Sequence, residues 1–145
     1  MITDDPRAAM LRQRYLANQV ETATPVQRLL MLQHKLLHDM GVADAAFEAG
    51  SIETVHRYLV NAQHIVLALH DSLEGNGWEG AEPLRGVYWF VHRRLIDCNL
   101  KKDRSLLPLC HELIAKIADA NARAAAGVDA HEGAEVHASI GAYVA

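Results

Sequence analysis

Apolar residues at positions 26, 29, 30, 36, 37, 40, 43 and 47 return every three or four residues and stop at Gly50. That is the repeat of one face of an α-helix. Gln33 interrupts the stripe. Its start is marked by Thr24-Pro25-Val26-Gln27. Thr24 can accept from the Gln27 N–H while the Gln27 side chain reaches back to the N–H of Thr24. A proline at the first helical position gives up no needed donor. The pattern predicts a helix from Pro25 to about Ala49. Ser51 is placed to cap a second helix. The seam of that helix (Ile52, Val55, Leu59, Ala62, Val66, Leu69, Leu73) alternates steps of three and four, a heptad stripe. The glycine-rich run EGNGWEG (74–80) ends it. A third helix begins near Pro83, with Leu84, Val87, Val91, Leu95 and Cys98 on one face and Tyr88, Trp89, Phe90 and Ile96 carrying apolar surface onto others. NLKKD (99–103) reads as a polar break. A fourth helix spans about 105–126, with Leu106, Cys110, Leu113, Ile117 and Ala120 on its face and Pro108 in its first turn.

Four long helices with short connections predict an all-α fold, an antiparallel four-helix bundle. A short extra N-terminal helical segment precedes it. The stretch YLANQVETATP (15–25) has room for about two helical turns, a thin apolar stripe and an exposed tyrosine. Residues 1–126 are expected to form one helical-bundle domain in which 1–23 is a mobile N-terminal segment. The small and polar stretch 127–145 is expected to be a flexible C-terminal tail. The length, 145 residues, suits one domain with a core of its own. Half the residues are hydrophobic but only 6% aromatic, which favours helices over sheets.

A net charge of −4 argues against general affinity for nucleic acid or an anionic membrane. No apolar run nears the ~20 residues that span a bilayer, and MITDDPRAAM has no signal-peptide pattern. A cytoplasmic protein is expected. Cys98 and Cys110 lie among apolar residues and read as small buried hydrophobes. The nine histidines raise the question of a metal. His34 and His38 have zinc-compatible i, i+4 spacing, but position 35 is Lys35 and no third ligand is visible. Glu53-Thr-Val-His56 is one Glu-x-x-His motif where a diiron bundle needs two. His56, Gln63 and His70 recur every seven residues beside the second seam, where they would flank a packing face with polar tips in water. No nucleophile elbow, phosphate loop or dinucleotide fingerprint is present, so no enzyme and no cofactor is expected. HRR (92–94) reads as a solvated helix face.

With the helices placed, Tyr15, Asn18, Val20, Thr22, Ala23, Thr24 and Pro25 resemble the opening signature of the FliS family, the flagellar export chaperones for flagellin. Thr24 stands where that pattern has Ser. Met31-Leu32 resembles the start of its Met-Leu-Tyr-Asp-Gly. Asn61-Ala62-Gln63, Ile65-Val66 and Ser72-Leu73 resemble its second helix, and Arg93-Arg94-Leu95, Cys98-Asn99 and Asp103 its third. The match runs from about Tyr15 to Asn121. Two motifs depart from the pattern. Tyr-Asp-Gly reads Gln33-His34-Lys35, and Tyr-Asp-Tyr-Met reads Tyr88-Trp89-Phe90-Val91.

The resemblance implies a non-catalytic chaperone. It would hold the disordered C-terminal segment of flagellin along the bundle, prevent premature polymerisation in the cytoplasm, and deliver the client to an export-gate component of the flagellar secretion apparatus. It places client-binding or lid residues at Tyr15, Leu16, Asn18, Val20, Leu29 and Leu32. The others are Leu36, Gln63, Val66, Arg94 and Asn99. The segment around Tyr15, Leu16 and Val20 can act as a lid over an apolar groove or pack as a permanent helix. A metal-binding bundle and a helical adaptor with another client are the alternative functions. Metal content and co-purification with flagellin separate the three.

Overall fold

Thr24 initiates the first long helix of the bundle with both halves of a capping box. Its hydroxyl accepts from the Gln27 N–H at 3.1 Å, and its own N–H donates to Gln27 Oε1 at 3.0 Å. The helix, Pro25–Ala49, ends at Gly50, whose φ of 72° is left-handed backbone that glycine adopts without strain. The computed structural model describes residues 5–22 and 24–127, with 17–22 given by backbone alone. It contains α1 (Pro6–Thr22), α2 (Pro25–Ala49), α3 (Ile52–Ser72), α4 (Ala81–Lys101), a 3₁₀ turn (Arg104–Leu106) and α5 (Leu107–Ala125). There is no strand among the described residues.

Helices α2 to α5 form the expected antiparallel four-helix bundle. His56 meets Asn99, Gln63 reaches the Leu95 carbonyl and His70 stacks against Trp89, so numbers rise along α3 as they fall along α4. Arg104 pairs with Asp44 and Glu48, which joins the start of α5 to the end of α2. One core runs the length of the bundle. Leu36, Met40 and Ala43 of α2 lie in it with Val55, Leu59 and Val66 of α3, Val91 and Leu95 of α4, and Leu113 and Ile117 of α5.

Several local expectations are revised. The N-terminal element is a helix of 17 residues that starts at Pro6, not a two-turn piece at Tyr15. Asp5 Oδ1 accepts the Arg7 N–H at 3.0 Å, and Pro6 occupies the first helical position. Ser51 sits at the N-cap of α3, but its hydroxyl bonds Thr54 Oγ1 rather than a backbone N–H. Ile52 opens the predicted seam yet is half exposed, and the buried part of the seam begins at Val55. The third bundle helix begins at Ala81 and runs through NLKKD to Lys101, where Lys102 in left-handed backbone stops it. Gln33 does not interrupt the α2 stripe. It is fully buried and donates to Tyr88 Oη at 3.2 Å. The tail predicted for 127–145 lies outside the described residues beyond Gly127.

Two glycines are set by geometry. A Cβ on Gly80 would sit 2.3 Å from the Trp78 ring, which folds back over it. Gly50 supplies the left-handed turn between α2 and α3.

Candidate functional site

Helix α1 stands apart from the bundle in its burial. Every described side chain from 5 to 16 is exposed, including Met10, Leu11, Tyr15 and Leu16. Exposed large apolar side chains on one short helix mark a surface that meets another surface. A second set lies where α2 begins. Val26, Met31 and Leu32 are about half exposed, and Arg28, Met31, Leu32 and Lys35 line a groove of about 300 Å³. Its rim is cationic. The Lys35 ammonium lies 2.6 Å from Asp39 Oδ1 and 6.0 Å from the centre of the Tyr58 ring, which places the groove on the α3 side of α2. Asp39 itself is fully buried, and its Oδ2 has no partner among the described residues. Lys35 is therefore held by a carboxylate that needs it.

The α3–α4 seam is built differently. The polar residues spaced by seven do not reach freely into water but bridge to α4. Asn99 Nδ2 donates to His56 Nδ1 at 3.0 Å, and Lys102 donates to Asn99 Oδ1. Gln63 Nε2 reaches the Leu95 carbonyl at 3.4 Å, and His92 Nδ1 lies 3.3 Å from the Gln63 carbonyl. The HRR stretch is likewise only partly a solvated face. Arg93 is exposed, whereas Arg94 Nε donates to the Leu106 carbonyl at 2.8 Å and its guanidinium lies near the Phe90 ring.

The residues named from the sequence fall into three settings. Tyr15 and Leu16 are on the exposed face of α1, and Leu32 lines the α2 groove with Leu29 half-buried beside the core. Leu36 and Val66 are core residues with no exposed surface, enclosed by the neighbouring helices. Gln63 and Asn99 belong to the α3–α4 bridges, and Arg94 ties α4 to the 3₁₀ turn. Asn18 and Val20 lie on α1, with side chains outside the described residues. Arg28 and Lys35, the groove's cations, were not singled out from the sequence. Their signal is the spacing of seven that sets them on one side of the Met31-Leu32 pair.

Burial pushes the Cys98 thiol up to about 11 and the Cys110 thiol to about 12, away from the reactive thiolate. Burial likewise raises the Tyr88 phenol to about 12, against the Gln33 hydrogen bond that opposes it. Among the described residues no group of three histidines, cysteines or carboxylates could hold a metal. His34 and His38 are exposed on α2. Among the same residues no helix is long and apolar enough to cross a membrane.

Comparison with known proteins gives the family. The family described as "Flagellar protein FliS" matches residues 8–128. The flagellar secretion chaperone FliS of Bacillus subtilis (strain 168) is 31% identical over 106 residues, which cover 73% of this chain and 79% of that protein. A helical bundle with exposed apolar helix faces is thus joined to a family match across most of its length, and the chain belongs to the FliS family of flagellar proteins.

Proposed function

We propose that this chain is a flagellar export chaperone that holds the disordered C-terminal segment of flagellin in the cytoplasm. Holding it keeps the segment from polymerising and presents it to the flagellar type III export apparatus. Membership of the FliS family supports the class of function. The observation that carries the mode is the exposed apolar surface of α1 and the start of α2, with Arg28 and Lys35 on the groove's rim. An amphipathic helix-forming client buries its stripe on such a groove and orders as it binds. That ordering lowers the affinity gained per unit area, so an extended contact is needed. The work is non-catalytic.

Calorimetry with a peptide of the flagellin C-terminal segment tests this. Binding is expected, and peptide at about 100 times its dissociation constant should stabilise the chaperone by roughly 2.7 kcal/mol. No heat and no gain in stability would overturn the flagellin reading and leave a helical adaptor with another client.

A further inference from the structure

Trp89 has no part in the core. It is 45% exposed on α4, at one of the positions where the sequence departs from the family pattern. Two imidazoles flank its indole. His70 of α3 and His92 of α4 each lie 5.5 Å from it between ring centres, tilted by 44° and 33°. Their hydrogen bonds fix their tautomers. His92 Nδ1 faces the Gln63 carbonyl at 3.3 Å, and His70 Nδ1 faces Asp71 Oδ1 at 3.0 Å. A carbonyl and a carboxylate only accept, so in both neutral rings Nδ1 carries the proton and Nε2 is left as an acceptor. The indole is thus flanked by two imidazoles, with the Asp71 carboxylate beside His70 as an acceptor; the Asp71 side chain is 61% exposed and that of His70 16%.

A flat π face with acceptors at its edge is complementary to a flat cation with donors at its edge. The guanidinium group is that cation. It stacks on aromatic faces, carries five donors in one plane and is weakly hydrated, whereas an ammonium is a compact, strongly hydrated point charge. The chain's own cations leave the place open. Arg85, one turn before Trp89, is paired with Glu82, and Arg94 and Arg57 lie near the rings of Phe90 and Tyr58. Arg93, one turn after Trp89, is exposed and does not lie over the indole.

We propose that His70, Trp89, His92 and Asp71 form a docking shelf for an arginine side chain of a partner protein. The shelf is separate from the α2 groove and does not depend on the identity of the client held there.

The probe is a blocked Ala-Arg-Ala peptide, compared with its lysine, citrulline and leucine counterparts. Binding is followed by the Trp89 indole N–H resonance in the full chain carrying Trp78→Phe. The arginine peptide is expected to shift that resonance and to bind at least about three-fold more tightly than the other three. Asp71→Asn should weaken binding while helicity is unchanged. In Trp89→Leu the arginine peptide should no longer move the His70 and His92 ring resonances. An equal response to citrulline or leucine, or no response to arginine, would overturn the proposal.

Discussion

Gln33 and Tyr88 show what a single buried polar contact demands. Gln33 is enclosed on α2, its Nε2 donates to Tyr88 Oη, and its Oε1 has no partner among the described residues. Removing one partner leaves the other buried and unsatisfied, which costs about 1–3 kcal/mol. Removing both with groups of similar shape is close to neutral. Tyr88→Phe alone should therefore destabilise the fold by that amount, and adding Gln33→Leu should recover most of it. Urea denaturation of the four proteins in the cycle measures this, and strict additivity would contradict it. The sequence could not show this pairing. Gln33 looked like a fault in an apolar stripe because its partner is 55 residues away on another helix. Asp39 is a different case: its counter-ion Lys35 is a local i,i+4 neighbour on the same helix, and only the packed bundle shows that the carboxylate is buried.

Asp44 is a surface case with a defined sign. Its hydrogen bonds to Arg104 hold its carboxyl below the usual value of 3.8, against the opposing effect of burial. A depressed folded value means the pair stabilises the fold above the unfolded carboxyl's pKa of about 4. That stability is lost as pH falls through the folded value. With the Asp44 side chain 45% exposed, water screens the pair. Asp44→Asn should cost less than about 1 kcal/mol at neutral pH, and the difference should fade as pH drops through the lowered folded value. Thermal unfolding of both proteins across that range checks the sign. A loss that persists in acid would rule out this ion pair as its source.

At the scale of whole elements, the sequence was most legible where the local chemistry was self-contained. Thr24-Pro25 and Gly50 delimit α2 as read because a capping box and a left-handed terminus need only neighbouring residues. The polar run at 99–103 misled because Asn99, though polar, is buried by its bond to His56. Asp5-Pro6 repeats the cap-and-proline start of α2, yet α1 was taken to begin at Tyr15 because its apolar stripe is thin. That thinness has a functional test. If α1 is a lid that competes with the client, deleting residues 1–22 should speed association of labelled flagellin peptide, because the cost of displacement disappears. The free protein should also aggregate more readily as apolar surface is uncovered. Slower association or a weaker complex in stopped-flow measurements would rule out a pure lid and assign α1 to client contact. An unchanged rate would leave α1 as a permanent helix.

At the scale of the whole molecule, the bundle was legible because heptad spacing and short connections leave few other arrangements. The surfaces were less so. Leu36 and Val66 resemble family positions, but they face inward here, while Arg28 and Lys35 border the α2 groove without belonging to any motif. If α1 is a lid over the groove, its covalent attachment sets how it competes with a client. Helix α1 is joined to α2 by the chain itself, at Thr24. It is a rod of about 25 Å at 1.5 Å per residue. Such a tether fixes its local concentration in the millimolar range. Dilution lowers the supply of every free ligand but not of α1. The apparent affinity for flagellin peptide should therefore be independent of chaperone concentration. An affinity that rises as the chaperone is diluted would mean that α1 reaches its site from a second copy, and competition would then respond to expression level instead of being fixed within each molecule.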